Sequence, residues 1–451
     1  MLCVQGTLVE IEPEDSHWAL RRPRQARKGS PKFRDPVDFE IFPEALGERI
    51  PQDHEVRRLL RALGQADLGP ILRSYEHKGG TPYHPLNLLA VVLYGMMDGV
   101  RSSRSLQEHC VYDARYRFLM GGHEPDDRTF GRFMTRLDGL IDALFKNVML
   151  TLRGTRHRSA GSEVLVDGGK KAANASWWKY TEDSDETPSD PEARLQNSHG
   201  RKLVGYNVQV AMDSRDNSIV ATEVLSDQND QHAAPVLMET MLFQHGSYPV
   251  AVLADKGYDC GEAIGALESK GIDTVISIEG WLPEELSENG DGVLVCPLGK
   301  PLVKTGQRNN GKGTTYDVYR PEGGCKGCPL AGQCGFKGKR LHVKEGSDPG
   351  CRIRNQARLA SAQYAGAMGR RRNVERLFAR MVATGFTRFL RRGRNKARTE
   401  LICWAISYNI QTLVWLFVQL AQLFWGHHRA LSRLECCRFS PQQQLTLLTS
   451  A

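Results

Sequence analysis

The spacing of apolar residues along the chain changes from helical to strand-like near Gly161. From residue 54 to 152 apolar positions recur every three or four residues and strand signals are few, which predicts a helical domain. After Gly161 short apolar runs alternate with polar residues, in EVLVDGG (163–169), LVGYNVQVAMD (203–213) and SIVATEVLS (218–226). These runs predict three strands, the last two joined by SRDN as a hairpin.

Helical and strand-like segments alternate in the next part of the chain. The pattern predicts a helix at 233–244, a strand ending at Asp255, a helix at 261–270 and a strand at 273–278. A Gly-, Pro- and Cys-rich segment then interrupts, and two long helical stretches follow it. The acidic, Pro-broken stretch TEDSDETPSDPEAR (181–194) is expected to be a surface loop. This order predicts a mixed α/β fold.

Composition and pattern together divide the chain into six segments. Near the N-terminus the basic stretch RRPRQARKGSPKFR (21–34) is broken by Pro and Gly, which is typical of a flexible arm. The predicted segments are an arm or linker (1–50), a helical DNA-binding or dimerisation domain (51–155), the first part of the α/β core (160–280), a Cys-rich insertion (281–350), the remainder of the core with its last helices (351–426) and a tail (427–451).

Three carboxylates occupy positions where chemistry could use them. Asp167 ends the first strand, Asp255 ends the strand after the first core helix, and Glu375 lies on the helix that follows the insertion. In an open α/β sheet, groups at strand ends point into a crevice rather than into the core. Oxygen ligands from three acids suit Mg²⁺ or Mn²⁺, and two such ions about 4 Å apart can promote phosphodiester cleavage.

The helix that carries Glu375 is predicted to be amphipathic. Val374, Leu377, Phe378 and Met381 recur at i, i+3, i+4 and i+7, so they share one face that could lie on the sheet. Glu375 then falls at the rim of that face, about 100° around the helix from Val374. A carboxylate at this rim can reach over the edge of the sheet.

Each of these acids also has a purely structural explanation. Asp167 precedes Gly168 and Gly169, Asp255 precedes KGYD, and both could serve only in turns. Glu375 could pair with Arg371 or Arg372 on its own helix. Taken together, in this order of elements and beside an arginine-rich stretch, the three acids favour a metal-dependent site.

The chain is mildly basic, with 60 Lys and Arg against 52 Asp and Glu, a net charge of +8 and a pI near 8.9. The distribution matters more than the sum. Residues 352–398 contain fourteen Lys or Arg and one acid, Glu375. Such a stretch is typical either of a solvated helix face or of a nucleic-acid surface.

Four of the eleven cysteines form a pattern that suggests a metal. Cys296, Cys325, Cys328 and Cys334 lie in VCPLGK and GGCKGCPLAGQC, which contain few apolar residues. A CxxC turn with two further thiolates could bind structural Zn²⁺ in place of a hydrophobic core. Reduced, unligated thiols are the equal alternative, and Cys351 is a substitute ligand.

The N-terminal residues show no secretory signal, so a cytoplasmic location is expected. Residues 401–425 carry no charge and are long enough to cross a bilayer. They contain Ser, Asn and Gln side chains that are unfavourable in hydrocarbon, and arginines precede them. A buried helix is therefore predicted, with no membrane partner.

Several motifs resemble those of one family in the same order. VDGGKKAANAS resembles the first-aspartate motif of the DDE transposases of bacterial insertion sequences, GYNVQVAMD the strand after it, and LADKGYD the second-aspartate motif. The stretch RRRNVERLFARMVATGF resembles the glutamate helix, and residues 83–133 are similar to the N-terminal helical domain. The resemblance extends from about Tyr83 to Leu413, and a similar Cys pattern recurs in one branch of the family.

This resemblance implies an RNase H-like catalytic core and a function. Asp167, Asp255 and Glu375 would be the catalytic triad that binds Mg²⁺ or Mn²⁺. The expected reaction is hydrolysis of phosphodiesters at terminal inverted repeats, followed by attack of the freed 3′-hydroxyl on target DNA. Two alternatives stay open: a decayed or domesticated DNA-binding protein that has lost recombination, and a metal-dependent nuclease without strand transfer.

The expected partner is double-stranded DNA, bound by an oligomer of the protein. In the family's helix signature Arg371 fits the arginine, but Met368 stands in place of the tyrosine and Val382 in place of the lysine. Both missing groups help hold transposon ends, so Arg380 or Arg370 could replace them. The candidate DNA contacts are Arg370, Arg371, Arg372, Arg376, Arg380, Lys170 and Lys256.

Overall fold

A computed structural model of the protein describes about three quarters of the chain. The described residues are 2–4, 7–9, 50–75, 81–153, 162–175, 187–198, 200–278, 286–309, 315–330, 333–334, 340–345 and 348–413. Two short antiparallel strands, β1 (Leu2–Val4) and β2 (Thr7–Val9), lie in the predicted arm. The predicted tail and the basic stretch at 21–34 lie outside the described residues.

The helical periodicity of the first third produces consecutive helices with clear caps. Ser102, Asp113 and Asp126 each accept a hydrogen bond from a backbone N–H of the helix that they precede, because a helix leaves its first N–H groups without partners. The helices are α1 (Glu55–Gln65), α2 (Gly69–Arg73), α3 (Pro85–Asp98), α4 (Ser103–Tyr112), α5 (Ala114–Met120), α6 (Asp127–Leu137) and α7 (Ile141–Arg153).

A six-stranded mixed sheet forms the centre of the second region. The long strand β5 pairs with β4 and β6 along one edge and antiparallel with β3 along the other, and β3, β7 and β8 continue in parallel. The predicted hairpin between β5 and β6 is confirmed. The strands are β3 (Glu163–Ala172), β4 (Arg194–Ser198), β5 (Arg201–Asp213), β6 (Ile219–Leu225), β7 (Ala251–Ala254) and β8 (Asp273–Ile276).

Helices cover both faces of this sheet. Val164, Val166 and Val252 point to one face, where α8 (Ala233–His245), α9 (Gly261–Glu268) and α10 (Cys351–Ala360) pack. Leu165 and Leu253 point to the opposite face, into a core shared with the N-terminal helices and the C-terminal helices. The C-terminal helices are α11 (Ala367–Arg370), α12 (Arg372–Ala383) and α13 (residues 394–413). The predicted mixed α/β fold is confirmed.

The Cys-bearing segment folds between β8 and α10 as short strands around a small core. Leu286, Leu294, Cys296, Leu302 and Leu341 are buried in it. Its strands are β9 (Ser287–Glu288), β10 (Leu294–Val295), β11 (Leu302–Asn309), β12 (Thr315–Pro321) and β13 (Leu341–Lys344). β11, β12 and β13 form a three-stranded antiparallel sheet.

The acidic stretch that was expected to be a surface loop is partly buried, so that expectation was wrong for its second half. Thr187, Asp190 and Ala193 are all buried. Asp190 accepts a hydrogen bond from the Tyr206 hydroxyl (2.7 Å) and another from the backbone N–H of Gly393. These donors lie far away along the chain, which is why composition alone suggested a loop.

The start of the long uncharged run lies in a buried helix. Residues 401–410 of α13 are buried, and two of its polar side chains have internal partners. Ser407 donates to the Leu93 carbonyl, and the Asn409 amide exchanges two hydrogen bonds with the backbone of Ile219. Within the part of the chain that the structure describes, no helix has the length and apolarity needed to cross a membrane.

Candidate active site

The register of the central strands places Asp167 beside Asp255. β3 and β7 run in parallel, with Leu165 opposite Leu253. Each aspartate follows its leucine by two residues and therefore points to the same face of the sheet. This is the face on which α12 packs. The expectation that Asp167 ends its strand was wrong, because β3 continues to Ala172 beside β5. Asp167 lies just beyond the last β3–β7 pair, next to the point where Asp255 follows β7.

The helix α12 brings the third carboxylate to this point. Val374, Leu377 and Met381 are buried against the sheet, and this hydrophobic face fixes the orientation of the helix. The approach is close at Gly169, where an added Cβ would lie 2.7 Å from the Phe378 ring. Glu375 follows Val374 at the rim, as the spacing predicted, and its side chain is 57% exposed.

The guanidinium of Arg371 lies among the three carboxylates. Its Nη2 atom is 4.0 Å from an oxygen of Asp167, 3.8 Å from Asp255 and 3.6 Å from Glu375. These distances are longer than those of charge-assisted hydrogen bonds, which lie near 2.7–2.9 Å. The Nε atom is buried and has no hydrogen-bond partner among the described residues. One positive charge therefore serves three negative charges, at long range.

Burial and charge repulsion make Asp167 harder to ionise than an ordinary aspartate. Burial raises its pKa from the ordinary 3.8 to about 6, and the neighbouring Asp255 and Glu375 charges add to this, against Arg371 and the Gly168 N–H. Two backbone bonds hold the aspartates in place. Gly168 N–H donates to Asp167 (2.9 Å) and Gly257 N–H donates to Asp255 (2.8 Å).

The donor set has the chemistry of a divalent-cation site. Three carboxylates with one guanidinium leave an excess of two negative charges, and hard cations such as Mg²⁺ prefer carboxylate oxygen. As they stand, the described residues contain no group of three acidic, His or Cys side chains close enough to ligate one metal ion. The cation that the carboxylates surround in this structure is the guanidinium of Arg371.

Comparison with family models decides the assignment. A model described as "Transposase DDE domain" matches residues 175–410, just over half of the 451 residues. The chain belongs to the DDE transposase family. The match spans Asp255 and Glu375 and begins after Asp167. A second model, "Transposase domain (DUF772)", matches residues 44–136. The protein is accordingly an enzyme of DNA cleavage and strand transfer, in a family that uses divalent metal ions.

Solved transposase structures match the chain at low sequence identity. A piggyBac transposase synaptic complex with hairpin DNA is 10% identical and has a TM-score of 0.32, over 80% of this chain and 72% of that chain. A pre-cleavage Mos1 transpososome is 14% identical with a TM-score of 0.16, over 44% of this chain and 61% of that chain. A comparison with curated proteins found no match.

The arginine-rich stretch of the transposase has two populations of arginine. One population makes ion pairs with acids from other elements. This structural role was not among the two predictions made for the stretch, a solvated helix face or a nucleic-acid surface. Its members are Arg352 with Asp259, Arg354 with Glu268, Glu288 and Asp348, Arg358 with Glu268 and Asp273, Arg370 with Glu163, Arg391 with Asp138, Arg394 with Glu192, and Arg398 with Asp142 and Glu223.

The second population faces outward on α12. Arg372, Arg376 and Arg380 are exposed on α12. Arg372 lies nearest to Glu375 around the helix, and Arg380 lies farthest from it, about 140° away. Arg376 and Arg380 also line a cleft of about 550 Å³, together with Arg58 of α1. Arg380 donates to Gln411 (2.5 Å) and lies over the Tyr408 ring. The transposase therefore carries a basic strip beside its acidic site.

The other predicted DNA contacts lie in different surroundings. Arg370 forms an ion pair with Glu163 (2.5 Å), and Lys170 forms one with Asp230 (3.1 Å). Lys256 is exposed directly after Asp255. Val382, which stands in place of the family's lysine, is 52% exposed. Of the two candidate replacements, Arg370 is already paired, whereas Arg380 borders the cleft.

The four cysteines predicted to bind zinc do not form a ligand group among the described residues. Cys296 is buried in the small core of the insertion and Cys334 packs against the same core. Cys325 and Cys328 are half-buried in the turn between β12 and β13. Cys351, the substitute ligand, donates its thiol to the Gly261 carbonyl at the start of α9.

A buried polar network beside the acids was not predicted from the sequence. Asn207 and Gln209 are fully buried on β5, and both donate to Asp230. The sequence GYNVQVAMD nevertheless contains an indication of this network, because the side-chain amides of Asn207 and Gln209 alternate with apolar residues on a buried strand. Buried amides require partners, so their spacing indicates a polar site on one face of the sheet.

Proposed function

We propose that Asp167, Asp255 and Glu375 together hold the divalent ion, Mg²⁺ or Mn²⁺, with which the transposase cuts DNA. The observation that supports this most strongly is their convergence, from the middle of β3, the end of β7 and a helix, on one cationic nitrogen. Three carboxylates with a single guanidinium are under-neutralised. Binding a divalent cation would satisfy the excess charge.

A divalent ion bound there would polarise the scissile phosphate and lower the pKa of the attacking water. The residues of the chain hold and orient the reacting groups. The Gly168 and Gly257 N–H groups fix the Asp167 and Asp255 carboxylates, and burial of Val374 and Leu377 fixes the helix that carries Glu375. Rigid placement of this kind is what lowers the barrier in phosphoryl transfer.

We infer that Arg371 holds the carboxylates together when no divalent ion is bound. Three carboxylates repel one another, and a central guanidinium reduces this repulsion. Its long distances to all three oxygens leave its N–H groups able to turn toward a phosphate of bound DNA. Arg371 would then change partners during the reaction.

The proposed substrate is double-stranded DNA at the terminal inverted repeats of the element. Cleavage there frees a 3′-hydroxyl, which attacks target DNA in the same site. The exposed Arg372, Arg376 and Arg380 would bind backbone phosphates, with Arg58 across the cleft. An oligomer would bring two ends together. Exposed Val382 in place of a lysine favours one second candidate, a nuclease that cuts but transfers strands poorly.

Cleavage by acid variants tests this function directly. The substrate is duplex DNA that carries the sequences flanking the coding region, incubated with Mg²⁺ or Mn²⁺. We expect Asp167→Asn, Asp255→Asn and Glu375→Gln each to slow cleavage by about 10³-fold or more, as loss of a catalytic group does. Asp291→Asn, an exposed acid in the insertion, is the control. Normal cleavage by Asp255→Asn would remove that acid from the mechanism.

We also propose structural Zn²⁺ for the insertion, on the strength of the CxxC spacing and the shared packing of Cys296 and Cys334. Metal analysis of the purified protein decides this. One zinc per chain, lost in Cys325→Ser with Cys328→Ser, would support it. Less than one zinc in protein purified without chelator would end the zinc proposal and leave the catalytic site unaffected.

A further inference from the structure

A fourth carboxylate, Asp230, lies behind the proposed catalytic acids. It belongs to the loop between β6 and α8. Its Oδ1 atom accepts three hydrogen bonds, from Lys170 Nζ (3.1 Å), Asn207 Nδ2 (2.7 Å) and Gln209 Nε2 (2.7 Å). The two amides are fully buried, and the Lys170 side chain is only 12% exposed. Asp230 therefore anchors three polar side chains of the sheet at once.

These partners connect Asp230 to the Asp167 motif. Lys170 follows Asp167 by three residues on β3. The network also lies directly against Gly168, where an added Cβ would be 2.5 Å from Gln209 Nε2 and 2.9 Å from Asp230 Oδ1. Only a residue without a side chain lets the network approach the β3 backbone this closely. The glycine after Asp167 is thus explained by packing against Asp230 and Gln209.

The same network reaches the Asp255 motif. The Tyr258 hydroxyl, in the turn after Asp255, donates to Gln209 Oε1 (2.5 Å). Asp230 Oδ2 lies 3.7 Å from where a Cβ on Gly257 would be, and Asp255 Oδ1 lies 3.0 Å from that point. Tyr258 itself is buried. A chain of contacts therefore links Asp230 through Gln209 to the turn that holds Asp255.

We propose that Asp230 is a positioning residue for DNA cleavage, which fixes the Lys170 ammonium and the Asp255 turn relative to Asp167. This inference rests on the proposed role of the three carboxylates. The carboxylate of Asp230 neutralises Lys170, so the pair adds no net charge to the site. Its contribution is geometric: it holds β3, β5 and the Asp255 turn in one arrangement.

Loss of Asp230 has a specific physical consequence. Two buried amides would lose their shared acceptor and a largely buried ammonium would lose its counter-charge, each of which is unfavourable. Lys170 would turn toward solvent and the Asp255 turn would lose its support. DNA affinity should change little, because Lys170 is largely buried and paired with Asp230 rather than available to DNA, and the exposed arginines of α12 do not contact this network. The turnover rate should fall instead.

Nicking of supercoiled plasmid in Mn²⁺, measured at several plasmid concentrations, tests the proposal. We expect Asp230→Ala to lower kcat by about 10²-fold, as small misplacements of catalytic groups do, with KM within about twofold of wild type. Asp230→Asn should lose less, because its amide oxygen can still accept from the same donors. Lys170→Met should resemble Asp230→Ala, and the double variant should be no worse than either one. Asp227→Asn, an exposed acid of the same loop, is the control.

The outcomes separate this inference from the function on which it rests. If Asp255→Asn is inactive and Asp230→Ala has normal kcat, the positioning role is wrong and the proposed function stands. If Asp255→Asn keeps normal activity, the proposed function itself fails. A raised KM with unchanged kcat in Asp230→Ala would also overturn the positioning role. So would Ca²⁺ binding that is weakened as much in Asp230→Asn as in Asp255→Asn, because Asp230 would then act as a metal ligand. If Asp230→Ala does not fold, Asp230→Asn and Lys170→Met carry the same test.

Discussion

Two arginines of the transposase meet several carboxylates, and they do so in different ways. Arg398 on α13 bonds both oxygens of Asp142 at 2.7 Å and Glu223 at 2.6 Å. Arg371 stays 3.6–4.0 Å from three carboxylates and leaves its Nε without a partner among the described residues. All three nitrogens of the Arg398 guanidinium donate hydrogen bonds to carboxylates, whereas the Arg371 guanidinium lies among carboxylates without a short hydrogen bond to any of them.

This difference indicates what each arrangement does. Arg398 joins α7, β6 and α13, and a bidentate pair of this kind fixes geometry. Arg371 lies in a cluster with two excess negative charges and no short hydrogen bonds between the guanidinium and the carboxylates. A cluster that is under-neutralised can take up a further cation and exchange partners. A basic stretch in a sequence can therefore contain a structural arginine and a site arginine within thirty residues of each other.

Breaking the ion pairs of Arg398 should have the largest effect on stability. Arg398→Met leaves Asp142 and Glu223 without their cation in a largely buried position. We expect the free energy of unfolding to fall by about 3–5 kcal/mol, the usual cost of breaking a buried pair from one side. Denaturant unfolding measures this. Arg376→Met, on the exposed strip, should change it by less than about 0.5 kcal/mol; equal effects would erase the distinction.

The pH dependence of stability should have opposite sign at the two clusters. The raised pKa of Asp167 means that the folded state binds its proton more tightly than the unfolded state between about pH 4 and pH 6. Its ionisation therefore costs stability as pH rises through this window, by up to about 3 kcal/mol. Asp167→Asn should be more stable than wild type at pH 7 and nearly equal at pH 4.

The pKa of Asp142 moves the other way. Burial raises it, but the bonds from Arg398 outweigh this and the net pKa is lowered. Its contribution is present above its unfolded pKa and is lost as pH falls through the lower, folded one. Thermal unfolding of Asp142→Asn across pH 3–7 should show destabilisation that shrinks in acid. An Asp167→Asn variant that is destabilised at pH 7 would contradict the raised pKa of Asp167.

The smallest expected effect concerns the central guanidinium. Arg371→Met removes the cation that competes with a divalent ion for the three carboxylates. The variant should gain more from 10 mM Ca²⁺ than wild type does, by about 1 kcal/mol in stability, because bound ligand stabilises the folded state. Melting temperatures with and without Ca²⁺ measure this gain. A smaller gain than in wild type would mean that Arg371 supports ion binding rather than competing with it.

Much of the core was predictable because its signals are local. Period-two runs identified β3, β5 and β6, and the i, i+3, i+4 spacing around Val374 correctly placed Glu375 at the rim of α12. What failed depended on distant partners. Asp190 is buried because it accepts hydrogen bonds from Tyr206 and Gly393. Arg398 is structural because it donates a hydrogen bond to Asp142, which lies 256 residues away in the sequence. Composition cannot identify such pairs.

Diffraction from a crystal soaked in Mn²⁺, measured at the manganese absorption edge, tests the central claim most directly. The account predicts anomalous density between the carboxyl groups of Asp167, Asp255 and Glu375, with the Arg371 guanidinium moved away from its present position. Manganese bound elsewhere, with Arg371 still among the three acids and Asp255→Asn unaltered in cleavage, would contradict it.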